Sequence, residues 1–280
     1  MGELWNRTFA LNLGGTLVSS ETTDGARNEI LRVTFNIERD GGKSPNTAEI
    51  AVYNLAEATR AKVGEKGILT TLEAGYSGQS STIFSGKLEA GKSVRDGVDW
   101  ITSFQSTDGG KELREGRINL SFEKVSVAGA FERVAESLGL GLGNAREQIA
   151  KGNIRGALTD FANGMVLSGS SKKELDRLAK TYGYDWSIQN GQLQLLGPTD
   201  AIEPNDAIVL DSDSGMIGSP ESGEDGIVEV RALLIPQLEP GRVVALSSEQ
   251  VSGFYRTEKV AYNGDTHGTD WFADLELKPR

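Results

Sequence analysis

The stretch Gly86-Lys87-Leu88-Glu89-Ala90-Gly91-Lys92-Ser93 satisfies the spacing G-x-x-x-x-G-K-[ST]. In a nucleotide-binding loop that spacing lets backbone amides surround phosphate, while the lysine neutralises charge and the hydroxyl takes a magnesium ion. Further on, Ala207 to Asp211 (AIVLD) has the four apolar residues and aspartate of a metal-binding partner strand. The context argues against this chemistry. A working loop follows a buried strand and opens a helix whose first amides hold the phosphate. Here Ser93 leads into VRDGVDWITSF, where Gly97 interrupts any helix and Val98, Trp100 and Thr102 alternate as in a strand. Upstream, TIFSGKLEA runs as a strand through the first glycine, with Phe84, Gly86 and Leu88 on one face. Gly91 to Ser93 is then expected to be a hairpin loop and Lys92 a loop charge. No alternation of strands and helices surrounds either segment, so a P-loop nucleotide hydrolase is the weakest reading of the chain.

Three other constellations carry residue types that could do chemistry. His267, the single histidine, lies beside Asp265 and Asp270 in NGDTHGTDW, which suggests a metal site or an acid–base pair. One imidazole cannot supply the usual zinc set, and the flanking Gly264 and Gly268 mark a turn, so a solvated connection is expected. Asp211 and Asp213 in DSDSG open like a calcium loop, but the twelfth position is Ser222 where a bidentate glutamate is required. Pairs such as Glu224 and Asp225 carry no weight as glycosidase acids without geometry. No G-x-S-x-G elbow occurs. No catalytic, cofactor-binding or metal residue is therefore assigned. Trp100, Trp186, Trp271, Phe35, Phe84 and Phe254 sit in alternating patterns and are expected in cores rather than on ligand platforms.

The elements around these residues change character along the chain. ILRVTFNIE puts Leu31, Val33, Phe35 and Ile37 on one face of a strand, and AEIAVYNL repeats the alternation. A short helix, AEATRAKV, precedes further strands at about 8–12-residue spacing, the pattern of a barrel or sandwich. After Gly110 the period becomes helical. Val127, Ala130, Phe131, Val134, Ala135 and Leu138 form one stripe, with Ser126 as N-cap and Gly139 as the stop. A second helix is expected from a capping box, Ser171 with Glu174, and ends at Gly183. Tyr184, Trp186 and Ile188 then alternate up to Asn190-Gly191, and Leu193 and Leu195 alternate on the return, a type I′ hairpin. Gly141 to Gly164 reads as loop with a short helix. From Ile208 strands return, and DSDSGMIGSPESGEDG between them reads as a loop.

The 280 residues carry a net charge of −11, no cysteine, 38% hydrophobic and 25% charged residues. That composition is globular, excludes disulfides and thiolate metal sites, and argues against a conventional nucleic-acid binder. No window approaches about 18 apolar residues, so no membrane helix is expected, and MGELWNRTFALNLGG lacks a signal-peptide layout.

The order of segments resembles phage tail proteins of the baseplate hub family. The residues that carry the likeness are NTAEIAVYNL, AGY, IFSG and DGG in the first part. Ser171 to Leu196 matches the family's middle unit, and GDTHGTDW and neighbouring strands match its last. The resemblance implies an α+β, predominantly β fold: two tail-tube-like β-barrel domains, 1–110 and 201–280, flanking a small α+β domain, 111–200. Helices fall near 126–138 and 172–182 and a hairpin at 184–196. It implies no enzyme and no cofactor. Its partners would be two more copies in a homotrimer, the tail tube protein, the tape measure protein, the central spike and other baseplate proteins. DNA would pass only as non-specific cargo. The trimer would adapt a six-fold tube to a three-fold spike in the virion, after synthesis in a host cytoplasm, with no membrane insertion. A tail-associated cell-wall hydrolase is the alternative from another class; it would need convergent carboxylates in a groove.

Overall fold

The computed structural model describes residues 6–20, 31–152, 164–203, 205–223 and 226–280. The chain divides into two compact units. The first takes in the chain up to Asp40, Asn46–Asp108 and Ile202–Arg280; the second takes in Gly41–Pro45 and Gly109–Ala201.

The first unit contains β1 (Arg7–Leu13), β2 (Thr16–Ser19), β3 (Val33–Asp40), β4 (Asn46–Tyr53), α1 (Glu57–Lys62), β5 (Leu69–Tyr76), β6 (Gln79–Asp96) and β7 (Asp99–Asp108). The second contains α2 (Gly110–Glu115), β8 (Arg117–Phe122), α3 (Val127–Ser137), α4 (Ala145–Lys151), β9 (Met165–Ser170), α5 (Ser171–Tyr182), β10 (Asp185–Gln189) and β11 (Gln192–Leu196). The chain then returns to the first unit with β12 (Ile208–Leu210), β13 (Met216–Ser222), β14 (Val228–Leu233), β15 (Val243–Ser247), β16 (Ser252–Asp265) and β17 (Trp271–Pro279). No helix is long and apolar enough to cross a membrane among the described residues.

In the first unit the strands join one sheet in the order β13-β14-β17-β16-β3-β4-β7-β6-β5-β1-β2, with β12 and β15 branching from β16. Every pairing is antiparallel except that of β12 with β15. Alternation sends Val33, Phe35 and Ile37 of β3, Ala48, Ile50 and Val52 of β4, and Ala273, Leu275 and Leu277 of β17 into a single core. The opposite face keeps Asn36, Glu49, Gln105 and Asn263 in one cross-strand row.

This topology corrects the expectation of two closed barrels. The strands of both β segments hydrogen-bond in one continuous, open sheet, and β2 and β13 end it without closing on each other among the described residues. The reason lies in β16. Its residues Lys259–Asp265 pair with β3 while the opposite edge pairs with β17, so the C-terminal strands join the N-terminal ones instead of closing on themselves. β13 is a poor closing strand as well: Pro220 lacks a donor, and the register shifts between Ile217 and Glu221. The fold remains α+β and mostly antiparallel β.

In the second unit α3 buries Val127, Ala130, Phe131, Val134 and Ala135, and the Gly129 amide donates to Ser126 Oγ at its start. The capping box expected on α5 does not form. Ser171 begins the helix instead of capping it, its hydroxyl accepts from Ser137 Oγ at 2.9 Å, and Glu174 pairs with Arg177. Asn190 and Gly191 take φ of 53° and 76°, the two left-handed residues of a type I′ turn between β10 and β11.

Candidate functional site

β6 settles the phosphate-loop question. It runs unbroken from Gln79 to Asp96, and Gly91, Lys92 and Ser93 pair with Phe104, Ser103 and Thr102 of β7. The expected hairpin loop at Gly91–Ser93 is therefore strand, and the turn comes later, where Gly97 takes φ of 60°. The glycines answer close neighbours. A Cβ on Gly91 would meet Val63 Cγ1 at 2.1 Å, and one on Gly86 would meet the Thr107 carbonyl oxygen at 2.5 Å. Ser93 continues the strand instead of opening a helix, so no helical amides converge on Lys92. In the AIVLD segment, Ile208–Leu210 form β12, and Asp211 folds into its own loop, its Oδ1 accepting from the Asp213 amide at 2.9 Å. The Ser214 hydroxyl, with the Asp213 and Ser214 amides, holds the Asp211 carboxyl below its ordinary range.

The Asp265–His267–Asp270 constellation is a clasp between β16 and β17. Asp265 is 8% exposed and bound bidentately by Arg32, with Nη2 to Oδ2 at 2.7 Å and Nε to Oδ1 at 3.2 Å. Its Oδ1 also accepts from the His267 amide. Arg7 donates to the carbonyls of Gly268 and Thr269 at 2.7 and 2.9 Å. The His267 ring is exposed and meets Thr266 Oγ1, while Asp265 N donates to the Asp270 carbonyl. Trp271, edge-on to Phe35 at 5.4 Å, donates Nε1–H to Gly75. Gly264 is required because a Cβ there would lie 2.2 Å from the Phe35 ring. The carboxylate thus neutralises an arginine rather than moving a proton.

Burial alone would raise the Asp265 carboxyl, but Arg32 and the amides of His267 and Gly268 outweigh it and hold it below its ordinary 3.8. A depressed carboxyl contributes stability above its unfolded value, and that contribution is lost as pH falls through the lowered folded value. Asp265→Asn is expected to be less stable than wild type at neutral pH, with the gap in melting temperature narrowing as pH drops below that range. A constant gap across the titration would show that the charge contributes nothing.

Of the aromatics expected in cores, Phe35, Phe84, Trp186 and Trp271 are buried. Trp100 is half-buried under Arg60, and Phe254 is 63% exposed. Glu224 and Asp225 lie outside the described residues. A cleft of about 630 Å³ on the polar face is lined by Lys92, Asp265 and Asp270 of the sequence patterns together with residues not singled out there, and in it Asn36 Nδ2 donates to Asn263 Oδ1 at 2.7 Å beside Glu49 and Gln105. No group of three or more acidic or histidine side chains is placed to hold a metal among the described residues. The arrangement offers hydrogen bonds and charge to a partner surface.

Among characterised proteins with curated descriptions, none matches this sequence. The fold is shared with solved tail proteins. A 43 kDa tail protein of prophage MuSo2 from Shewanella oneidensis superposes with a TM-score of 0.65 at 12% identity, over 98% of this chain and 97% of that one. A tail protein from Neisseria meningitidis MC58 gives 0.63 at 10% identity, over 98% and 97%. An E. coli component of the type VI secretion system gives 0.58 at 10% identity, over 96% and 76%. The fold class is that of structural tail proteins. The family model described as baseplate hub gp41 matches residues 15–277, and the chain belongs to that family. It is a non-catalytic, structural component of a phage tail, of the kind that associates with other tube and baseplate components.

Proposed function

We propose that the chain forms a homotrimeric hub at the distal end of the tail, adapting a six-fold tube to a three-fold spike and lining the channel through which DNA passes. In this reading it contacts the tail tube, tape measure and central spike proteins and is made and assembled in the host cytoplasm. The observation that carries the reading is the open sheet. One face carries the core across most of its strands, while the other presents charged and amide side chains from β14 to β6, a surface open to a lumen or a partner. A net charge of −11 supports the channel role, because an acidic surface repels the phosphate backbone.

The test is the mass in solution. Sedimentation equilibrium is expected to give a species of about three times the 30.0 kDa chain. A strict monomer at high concentration overturns the trimer.

A further inference from the structure

β6 changes neighbour halfway along. Gln79–Lys87 pair with β5, whereas beyond Lys87 the strand pairs with β7 alone. Its other side, from about Ala90 to Asp96, meets no strand among the described residues. At the far end of the same sheet β13 pairs only with β14. Followed strand by strand, the register carries Ile217 of β13 to Lys87 of β6 in one row. Ile217, Glu221 and Glu229 therefore share a sheet face with Lys92 and Val94.

The two edges differ in chemistry and match each other. On β6, Lys92 is exposed and forms no ion pair among the described residues; Val94 beside it is 46% exposed and Val98 at the turn 87%. On β13, Ile217 is 41% exposed, and Glu221 lies directly opposite Glu229, which in turn lies opposite Glu276. Like charges in opposite cross-strand positions are destabilising. Lys259 answers Glu276, but no cation answers Glu221 or Glu229 among the described residues. An apolar side chain beside an unanswered carboxylate on one edge thus complements an apolar side chain beside an unanswered ammonium on the other. Pro220 and the register shift in β13 discourage indiscriminate strand addition, which leaves side chains to make the contact.

We propose that the β6 edge of one copy seats against the β13 edge of a second copy, with Val94 against Ile217 and Lys92 against Glu221. The two patches are different parts of the same chain, so the contact is head-to-tail. Each copy offers one of each, and copies joined this way close into a ring when the rotation permits. The inference rests on the trimeric reading above and names its interface. It also gives a role to Lys92, the lysine of the phosphate-loop pattern.

The experiment is a charge swap read by sedimentation equilibrium, with thermal melts confirming that each variant is folded. Lys92→Glu and Glu221→Lys are each expected to weaken assembly by about tenfold or more, and the double variant to recover it. Because the chain has no cysteine, Val94→Cys combined with Ile217→Cys gives a second readout. Oxidation is expected to yield covalent dimers and trimers, whereas either single cysteine variant yields no species larger than a dimer. A trimer indifferent to both charge reversals and not cross-linked by the cysteine pair overturns this interface and leaves the trimeric hub standing. A monomeric wild type overturns both.

Discussion

Arg39→Ala is expected to destabilise the protein by about 3–5 kcal/mol, the range for truncating a large side chain in a packed core. At this chain length the melting temperature would fall by about 6–20 °C. Arg39 continues the inward row of β3 after Val33, Phe35 and Ile37, and only 2% of it is exposed. Its Nη2 lies 3.1 Å from Glu239 Oε2, and Nη1 reaches the Ile83 carbonyl at 3.5 Å. Beside it stands Tyr262, whose hydroxyl donates to backbone carbonyls of the 236–238 segment and whose phenol burial holds well above its ordinary range. Truncation would empty a long side chain's volume from the core and strip these acceptors of their donor. Glu239→Gln is expected to cost less, because it leaves the core volume filled and keeps an amide oxygen to accept from Nη2, so its loss is the counter-charge of the buried guanidinium alone. Equal losses in the two variants would place the energy in the charge pair. A loss for Arg39→Ala below about 1 kcal/mol would mean that the guanidinium is solvated in solution.

Arg39 also shows where reading the sequence stops. Period-2 alternation identified the core face of β3, and parity extends that face to position 39, yet a charged residue looks like the end of a buried row. Its partner lies 200 residues away, beyond any local pattern. The same limit applies to Asp265. A solvated connection was expected there in place of a metal site or an acid–base pair, but nothing local shows Arg32, which claims the carboxylate from 233 positions away. Composition misled at β13, whose glycine, serine and proline read as loop, because an edge strand paired on one side needs few apolar residues. Phe254 alternates as a core residue would, but periodicity says which residues share a face and not which face is covered. At β6 the register shift between Leu88 and Ala90 resets the alternation just before the segment, Gly91–Ser93, where a loop was expected. Closure of the sheet was the largest misreading, since it depends on which long strands meet and not on how any one of them is patterned.

Local alternation is most legible in the β10–β11 hairpin of the second unit. Trp186→Ala is expected to cost about 3–5 kcal/mol, and Trp186→Phe substantially less. Trp186 is 1% exposed in β10 and shares a core with Phe131, Val134, Leu175 and Leu178 of α3 and α5. Its indole Nε1–H donates to Asp176 Oδ1 at 3.0 Å, tying the hairpin to α5. Both substitutions remove that bond, but neither leaves the carboxylate without a partner, because Lys43 Nζ holds the same oxygen at 2.7 Å. The difference between them therefore measures volume: alanine opens a cavity among side chains that can relax only in part, whereas phenylalanine keeps most of the ring in place. Denaturant melts followed by far-ultraviolet circular dichroism would give both numbers. If phenylalanine costs as much as alanine, the indole N–H rather than the packed ring carries the energy. The hairpin would then depend on a single polar contact instead of on the core that its Tyr184, Trp186 and Ile188 alternation builds.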